Sequence, residues 1–239
     1  MQYMGSKARL SKELAPIIQS YIQDDTKGYI EPFVGGANMI DKIIHNNKIG
    51  VDINEYLIEL LKYAQNKELP ESISEDEYNK VRNNKESYPK WYVGLVGFCG
   101  SFGAKWFGGF VKGNDNRDRQ KEAIDNLRKQ AKLEQFKNIK FVSKSFLNLP
   151  KNKIKGYVIY CDPPYKDTTK YKDNIFPYEQ FYKWCTEISK DNIILISEYS
   201  MPCEFDVIWE KPHYTSMGSG INSSMKKEKI EKLFKVKPI

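Results

Sequence analysis

Histidine is scarce in this chain, with two among 239 residues, and cysteine is little commoner, with four. Cys99, Cys161, Cys185 and Cys203 stand far apart, in a spacing that matches neither a zinc site nor a disulfide framework. They read as reduced, mostly buried thiols. His45 and His213 have no partners in sequence for metal binding, and no metal is expected. No stretch approaches the roughly 18 apolar residues that a membrane span needs, so no membrane partner is expected. The opening "MQYMGSKARLSKELAPII" has neither the apolar core nor the cleavage site of a secretory signal, which predicts a cytoplasmic location. Internal repeats and low-complexity tracts are also missing. Acidic residues fall short of basic ones, 31 against 38, leaving a net charge of +7. That surplus favours polyanions without naming one, and it is densest over Lys112–Lys140 and Lys226–Lys237.

What is present is an interrupted α/β pattern. Ser6–Ile22 carries Leu10, Leu14, Ile17, Ile18 and Tyr21 at helical spacing, with a break or kink expected at Pro16. "GYIEPF" (28–33) reads as a strand, "VGGANMIDKIIH" as a glycine turn opening into a helix, and "KIGVDI" (48–53) as a second strand. Asn54 caps a helix bearing Tyr56, Leu57, Leu60, Leu61 and Ala64. This alternation begins a parallel, doubly wound sheet. It lapses over 69–136, where helical pieces at 74–84, 87–98 and 118–135 surround "FCGSFGAKWFGGFVKGNDNRD". Strands return at 138–142, 157–161, 192–197, 205–210 and 231–236, with a helix at 178–189. The chain thus divides into an α/β domain, 1–68 and 137–239, and a mostly helical insertion, 69–136.

Three constellations fall at strand ends, where open α/β sheets bind ligands. "EPFVGG", Glu31 to Gly36, allows close backbone approach, but its spacing is not that of a dinucleotide loop. Asp52 ends the next strand, where a carboxylate can accept from both hydroxyls of a ribose. In "YVIYCDPPY" a buried strand stops at Asp162, Pro163, Pro164 and Tyr165. An aspartate there is costly unless it finds donors. The prolines remove two N–H groups and leave carbonyls to accept, which suits an incoming amino group, and Tyr165 offers a face on which a base can stack.

Together "DPPY", "EPFVGG" and the "DIN" between them resemble the Dam-like adenine-specific (N6) DNA methyltransferases. "YMGSK" (Tyr3–Lys7) and the terminal "KIEKLFKV" are similar to that family's first motif and last strand. The resemblance implies a Rossmann-like fold that uses S-adenosyl-L-methionine to methylate the N6 amino group of adenine in a short site on double-stranded DNA. It implies that Asp162 and the Pro163 carbonyl accept from the adenine amino group, that Tyr165 stacks on the flipped base, and that Asp52 holds the cofactor ribose. Glu31, Phe33, Gly35 and Gly36 would shape the cofactor pocket, and Tyr3 and Lys7 would close it. Ala37-Asn38 departs from the family's usual glycine or serine. Ser145 stands near the place of an acidic residue often found before the catalytic strand. His45 and His213 have no part in such a transfer, and Tyr199 is expected to line the back of the site.

Within the insertion, read as the target-recognition region, Lys105, Lys112, Arg117 and Arg119 are the expected phosphate contacts. Trp106 is open to either a DNA or a packing role, and Phe107 and Phe110 are expected to form a small core. The stretch 167–171, "DTTKY", is open between a flap over the base and a solvated loop. A monomer is expected. Asp162 argues against cytosine N4 (usually Ser) and against a glutamine amide (usually Asn), while RNA stays open. A catalytically silent DNA-binding relative would have no need of Lys7, Asp52, Asp162 and Tyr165 together.

Overall fold

The computed structural model describes residues 1–112, 118–165, 176–215 and 227–237, with backbone alone for 213–215 and 227–228. Arg117 and the stretch 167–171 lie outside the described residues, as does the side chain of His213.

Seven strands form one sheet in the order β3-β2-β1-β4-β5-β7-β6. They are β1 (Gly28–Glu31), β2 (Lys48–Asp52), β3 (Ile139–Ser143), β4 (Tyr157–Cys161), β5 (Ile193–Glu198), β6 (Phe205–Thr215) and β7 (Lys227–Val236). The first five are parallel, and β7 lies antiparallel between β5 and β6. The order reverses between β1 and β4, so the carboxyl ends of these two strands frame the crevice where an open α/β sheet takes its ligand.

Each strand alternates between two cores. Tyr29, Val158, Tyr160, Leu195 and Leu233 pack into a cluster on one face, with Leu14 and Ile18 of α1 (Ser11–Ser20) and Leu57, Leu60 and Leu61 of α2 (Glu55–Asn66). Ile30, Ile159, Cys161, Ile194, Ile196 and Phe234 face the other cluster, with Phe181, Trp184 and Ile188 of the helix over Tyr178–Ile188. Pro16 sits inside α1 without ending it.

The insertion shares the first core. Tyr78 and Val81 of α3 (Glu75–Asn83), Val93 and Val96 of α4 (Lys90–Cys99), and Ile124 and Leu127 of α5 (Arg119–Ala131) join the cluster that contains α2. Gly94 makes the closest approach: a Cβ there would lie 2.3 Å from the Tyr56 carbonyl oxygen. The stretch expected as one helix over 118–135 is broken after Ala131 and resumes as α6 (Glu134–Lys137). The helix over Tyr178–Ile188 is α7.

One expected helix is not formed. After the glycine turn the chain makes a single 3-10 turn, Ile40–Lys42, before β2. Its carbonyls are claimed by a side chain instead. The Lys48 ammonium, on a buried residue, donates to Ile40 O at 3.2 Å and Ile43 O at 3.0 Å, and to the Gln135 carbonyl. The terminal hairpin, by contrast, is longer than its apolar pattern suggested: its pairing runs from Phe205↔Val236 to Thr215↔Lys227.

Cys99, Cys161 and Cys185 are buried free thiols, and Cys203 is exposed. Among the described residues no helix is long and apolar enough to cross a membrane.

Candidate active site

Register brings distant residues to one edge of the sheet. β4 pairs with β5 through Cys161↔Ile196, and β5 with β7 through Glu198↔Lys232. Asp162 therefore leaves β4 beside the end of β5, and Glu231 arrives on β7 one step beyond Lys232. By alternation, Glu31, Tyr160, Asp162, Ser197 and Glu231 all face the side that carries α1 and α2. The Tyr160 hydroxyl and Ser197 Oγ, 2.7 Å apart, brace the floor between them.

Lys7 enters from the N-terminal 3-10 turn, Lys7–Arg9. Its Nζ lies 3.0 Å from Asp162 Oδ1, 3.6 Å from Glu231 Oε1, and 4.3 Å from the centre of the Tyr165 ring. The Tyr165 hydroxyl donates to Glu231, and the Tyr199 ring meets Tyr165 edge-on at 4.6 Å. Burial raises the Asp162 pKa, and the neighbouring Lys7 charge holds it back. Burial works against the Lys7 charge as well, but Asp162 and Glu231 outweigh it and its pKa rises. Pro163 is buried, and the Pro164 carbonyl accepts the Tyr178 hydroxyl at 2.8 Å, which ties the tetrapeptide to the start of α7.

The glycine turn follows β1. Gly35 has φ +47° and Ala37 φ +57°, so the chain crosses the left-handed region twice. A Cβ on Gly35 would come within 3.0 Å of the Tyr3 ring, and one on Gly36 within 2.9 Å of Tyr3 Cβ. Close approach to the glycines is thus used first by the chain's own Tyr3. Asn38 holds it there, donating at 2.8 Å both to Met1 O and to Ser6 Oγ. Gln130 of α5 donates to Ala37 O at 2.9 Å and to Asp41 Oδ2 at 2.8 Å, so a helix of the insertion clamps the turn.

Asp52 is half-buried, with Oδ2 accepting from Gly35 N–H at 3.1 Å and Oδ1 from Asn54 N–H at 2.9 Å. Burial raises its pKa against these donors. A carboxylate offers about four acceptor positions, so both oxygens keep capacity for a diol. Ile53, 77% exposed, puts an apolar face next to it. This turn, carboxylate and apolar face fit an adenosine. Glu31 is buried and accepts the Tyr29 hydroxyl at 2.7 Å; burial lifts its pKa strongly. Phe33 packs in the aromatic cluster with Phe146, Phe176 and Phe181 at 5.3–5.7 Å.

Of the expected phosphate contacts, Lys105 is exposed, Lys112 pairs with Glu75 at 2.9 Å on the surface, and Arg119 is exposed at the start of α5. Phe107 is buried against Tyr78 and Phe110 is half-buried against the same ring, so both pack, but in the core shared with the α/β domain rather than in a small core of the insertion. Trp106 lies on Phe98 at 4.8 Å, and Phe98 in turn touches Tyr3 at 5.5 Å. The exposed aromatic of this loop is Phe102, 65% accessible. Ser145 caps a 3-10 turn, and His45 bonds local backbone, Nδ1 accepting the Asn47 N–H at 3.0 Å and Nε2 lying 3.1 Å from the Thr26 carbonyl.

The sequence-based reading had missed Glu231, Asn38 and Gln130. Glu231 was visible only as a charge on an otherwise half-apolar strand, and Gln130 as a polar residue on the apolar face of α5.

The sheet order, with its antiparallel β7 and its switch point between β1 and β4, is a Rossmann-like α/β architecture. The model of the D12 class N6 adenine-specific DNA methyltransferases matches residues 3–192, and the chain belongs to that family. It is 26% identical over 194 aligned residues to the type II methyltransferase M.FokI of Planomicrobium okeanokoites, in a match that covers 71% of this chain but only 29% of that protein. Among solved structures it is similar to HI0767 from Haemophilus influenzae, a methylase by assignment (8% identity, 95% of this chain and 88% of that one, TM-score 0.36). It is also similar to SMU.472, a methyltransferase by assignment solved with SAH (14% identity, 100% and 55%, TM-score 0.39).

Proposed function

We propose that this protein transfers a methyl group from S-adenosylmethionine to the N6 amino group of adenine in a short duplex DNA site. Family membership supports the reaction class. The observation that carries the chemistry is the grouping of Asp162, Lys7 and Tyr165 at the switch point. Bound at the glycine turn, the cofactor supplies an electrophilic methyl group. Asp52 would take the ribose hydroxyls, Tyr3 and the turn from Gly35 to Asn38 would enclose it, and Glu31 would shape the pocket from the end of β1.

The target base must leave the duplex to reach a crevice of this kind. Asp162 and the Pro163 carbonyl accept from its amino group and hold the nitrogen lone pair toward the methyl donor, while Tyr165 supports the ring. Acceleration comes from placement and fixed electrostatics. The insertion, 69–136, is the target-recognition region, with Lys105, Lys112, Arg117 and Arg119 on phosphates. The likeness to a type II methyltransferase, M.FokI, favours a restriction–modification setting.

The test is transfer of labelled methyl groups to unmethylated duplex DNA by the wild type and by Asp162→Ala. Incorporation by the first and a loss of at least a hundredfold in the second are expected. Full activity of Asp162→Ala would refute the assignment.

A further inference from the structure

Asp162 is already engaged, because its Oδ1 is 3.0 Å from the Lys7 ammonium. The same ammonium lies over the Tyr165 face. An incoming amino group must therefore compete with Lys7 for both its acceptor and its stacking surface. If Asp162 were the sole anchor, base entry would strand a nearly buried cation, since the Lys7 side chain is only 11% exposed, and an uncompensated buried charge is strongly unfavourable. A second carboxylate removes that obstacle. The Glu231 side chain is 3% exposed and stands 3.6 Å from Lys7, on the far strand β7. It also accepts the Tyr165 hydroxyl, while Tyr199 meets the Tyr165 ring edge-on at an interplanar angle of 88°.

We propose that Glu231 is a positioning residue for the transfer, fixing the plane of Tyr165 and giving Lys7 a second anchor so that Asp162 is released to the target amino group. Glu231 does not touch the base; it acts through Tyr165 and Lys7. The inference rests on the adenine reading above, from which it takes the target group.

The experiment is a double-variant cycle of Glu231→Ala and Tyr165→Phe, read as kcat/KM for unmethylated duplex DNA. SAH affinity and the denaturation midpoint of each variant are measured alongside. Each single variant is expected to lose at least tenfold in kcat/KM. The double variant is expected to fall at least fivefold short of the product of the single losses, because both changes break the Tyr165–Glu231 hydrogen bond. SAH affinity should stay within threefold of wild type. Glu231→Gln, which keeps an acceptor for the hydroxyl but not the charge for Lys7, should fall between wild type and Glu231→Ala. Losses that multiply, an unaffected Glu231→Ala, or a fall in SAH affinity or folding that matches the fall in activity would each overturn the proposal. Those outcomes require an active wild type. A wild type that methylates no DNA would instead sink the reaction itself and this role with it.

Discussion

In the proposed transfer Asp162 is the residue that takes the target amino group, and its environment predicts a pH dependence. A free aspartate titrates near pH 3.9. Burial raises the Asp162 value, and the Lys7 charge opposes that rise. A carboxylate with a raised pKa keeps its proton to higher pH, and a protonated oxygen is a poorer acceptor for an amino group. The acid limb of kcat/KM should therefore lie above the range of an ordinary aspartate. Lys7→Met removes the opposing charge and should move the limb further up. A limb that stays put or moves down in Lys7→Met would contradict the pairing seen at 3.0 Å. At this scale the sequence was informative for a physical reason. A carboxylate, two prolines and an aromatic ring at a strand end have few structural uses, so Asp162 and Tyr165 stood out. Glu231 did not, since a lone glutamate on a strand looks solvated until β7 is known to lie beside β5.

At the level of elements, the docking of α4 on α2 is the most sharply defined contact. Alanine at position 94 would gain up to about 1 kcal/mol in helix propensity over glycine. Its Cβ would, however, sit 2.3 Å from the Tyr56 carbonyl oxygen and 3.1 Å from Leu60 Cβ, and overpacking of this kind costs about 1–3 kcal/mol. The clash should win, and Gly94→Ala should lower the denaturation midpoint; an unchanged or higher midpoint would refute the packing. Most elements were legible from apolar period and capping, such as α2 behind Asn54, whose side chain accepts from Leu57 N–H at 3.1 Å. Where reading failed, tertiary contacts had overridden local pattern. Lys48 takes the carbonyls of Ile40 and Ile43, and Gln130 takes those of Gly36 and Ala37, which leaves no helix between β1 and β2. The same contacts tie the helical insertion to the glycine turn, through Gln130 and through the Gln135 carbonyl that Lys48 also takes.

Across the whole molecule the +7 charge bears on how duplex DNA would be held in the proposed reaction. Phosphate contacts release counterions, so the logarithm of affinity should fall linearly with the logarithm of salt concentration. Lys105→Ala, altering an exposed residue outside the cofactor pocket, should reduce that slope by about one and leave SAH affinity alone. A slope near zero in the wild type would refute a basic DNA-binding surface. Lys112 should matter less at low salt, because its surface pair with Glu75 has to be given up first.

The identity of the methylated atom is read directly by nucleoside chromatography. Duplex DNA free of modified bases is incubated with the protein and S-adenosylmethionine, digested to nucleosides and separated against standards. The site described here predicts N6-methyladenine as the single new product, absent when Asp162→Ala replaces the wild type. N4-methylcytosine, or no modified nucleoside despite bound cofactor, would contradict it.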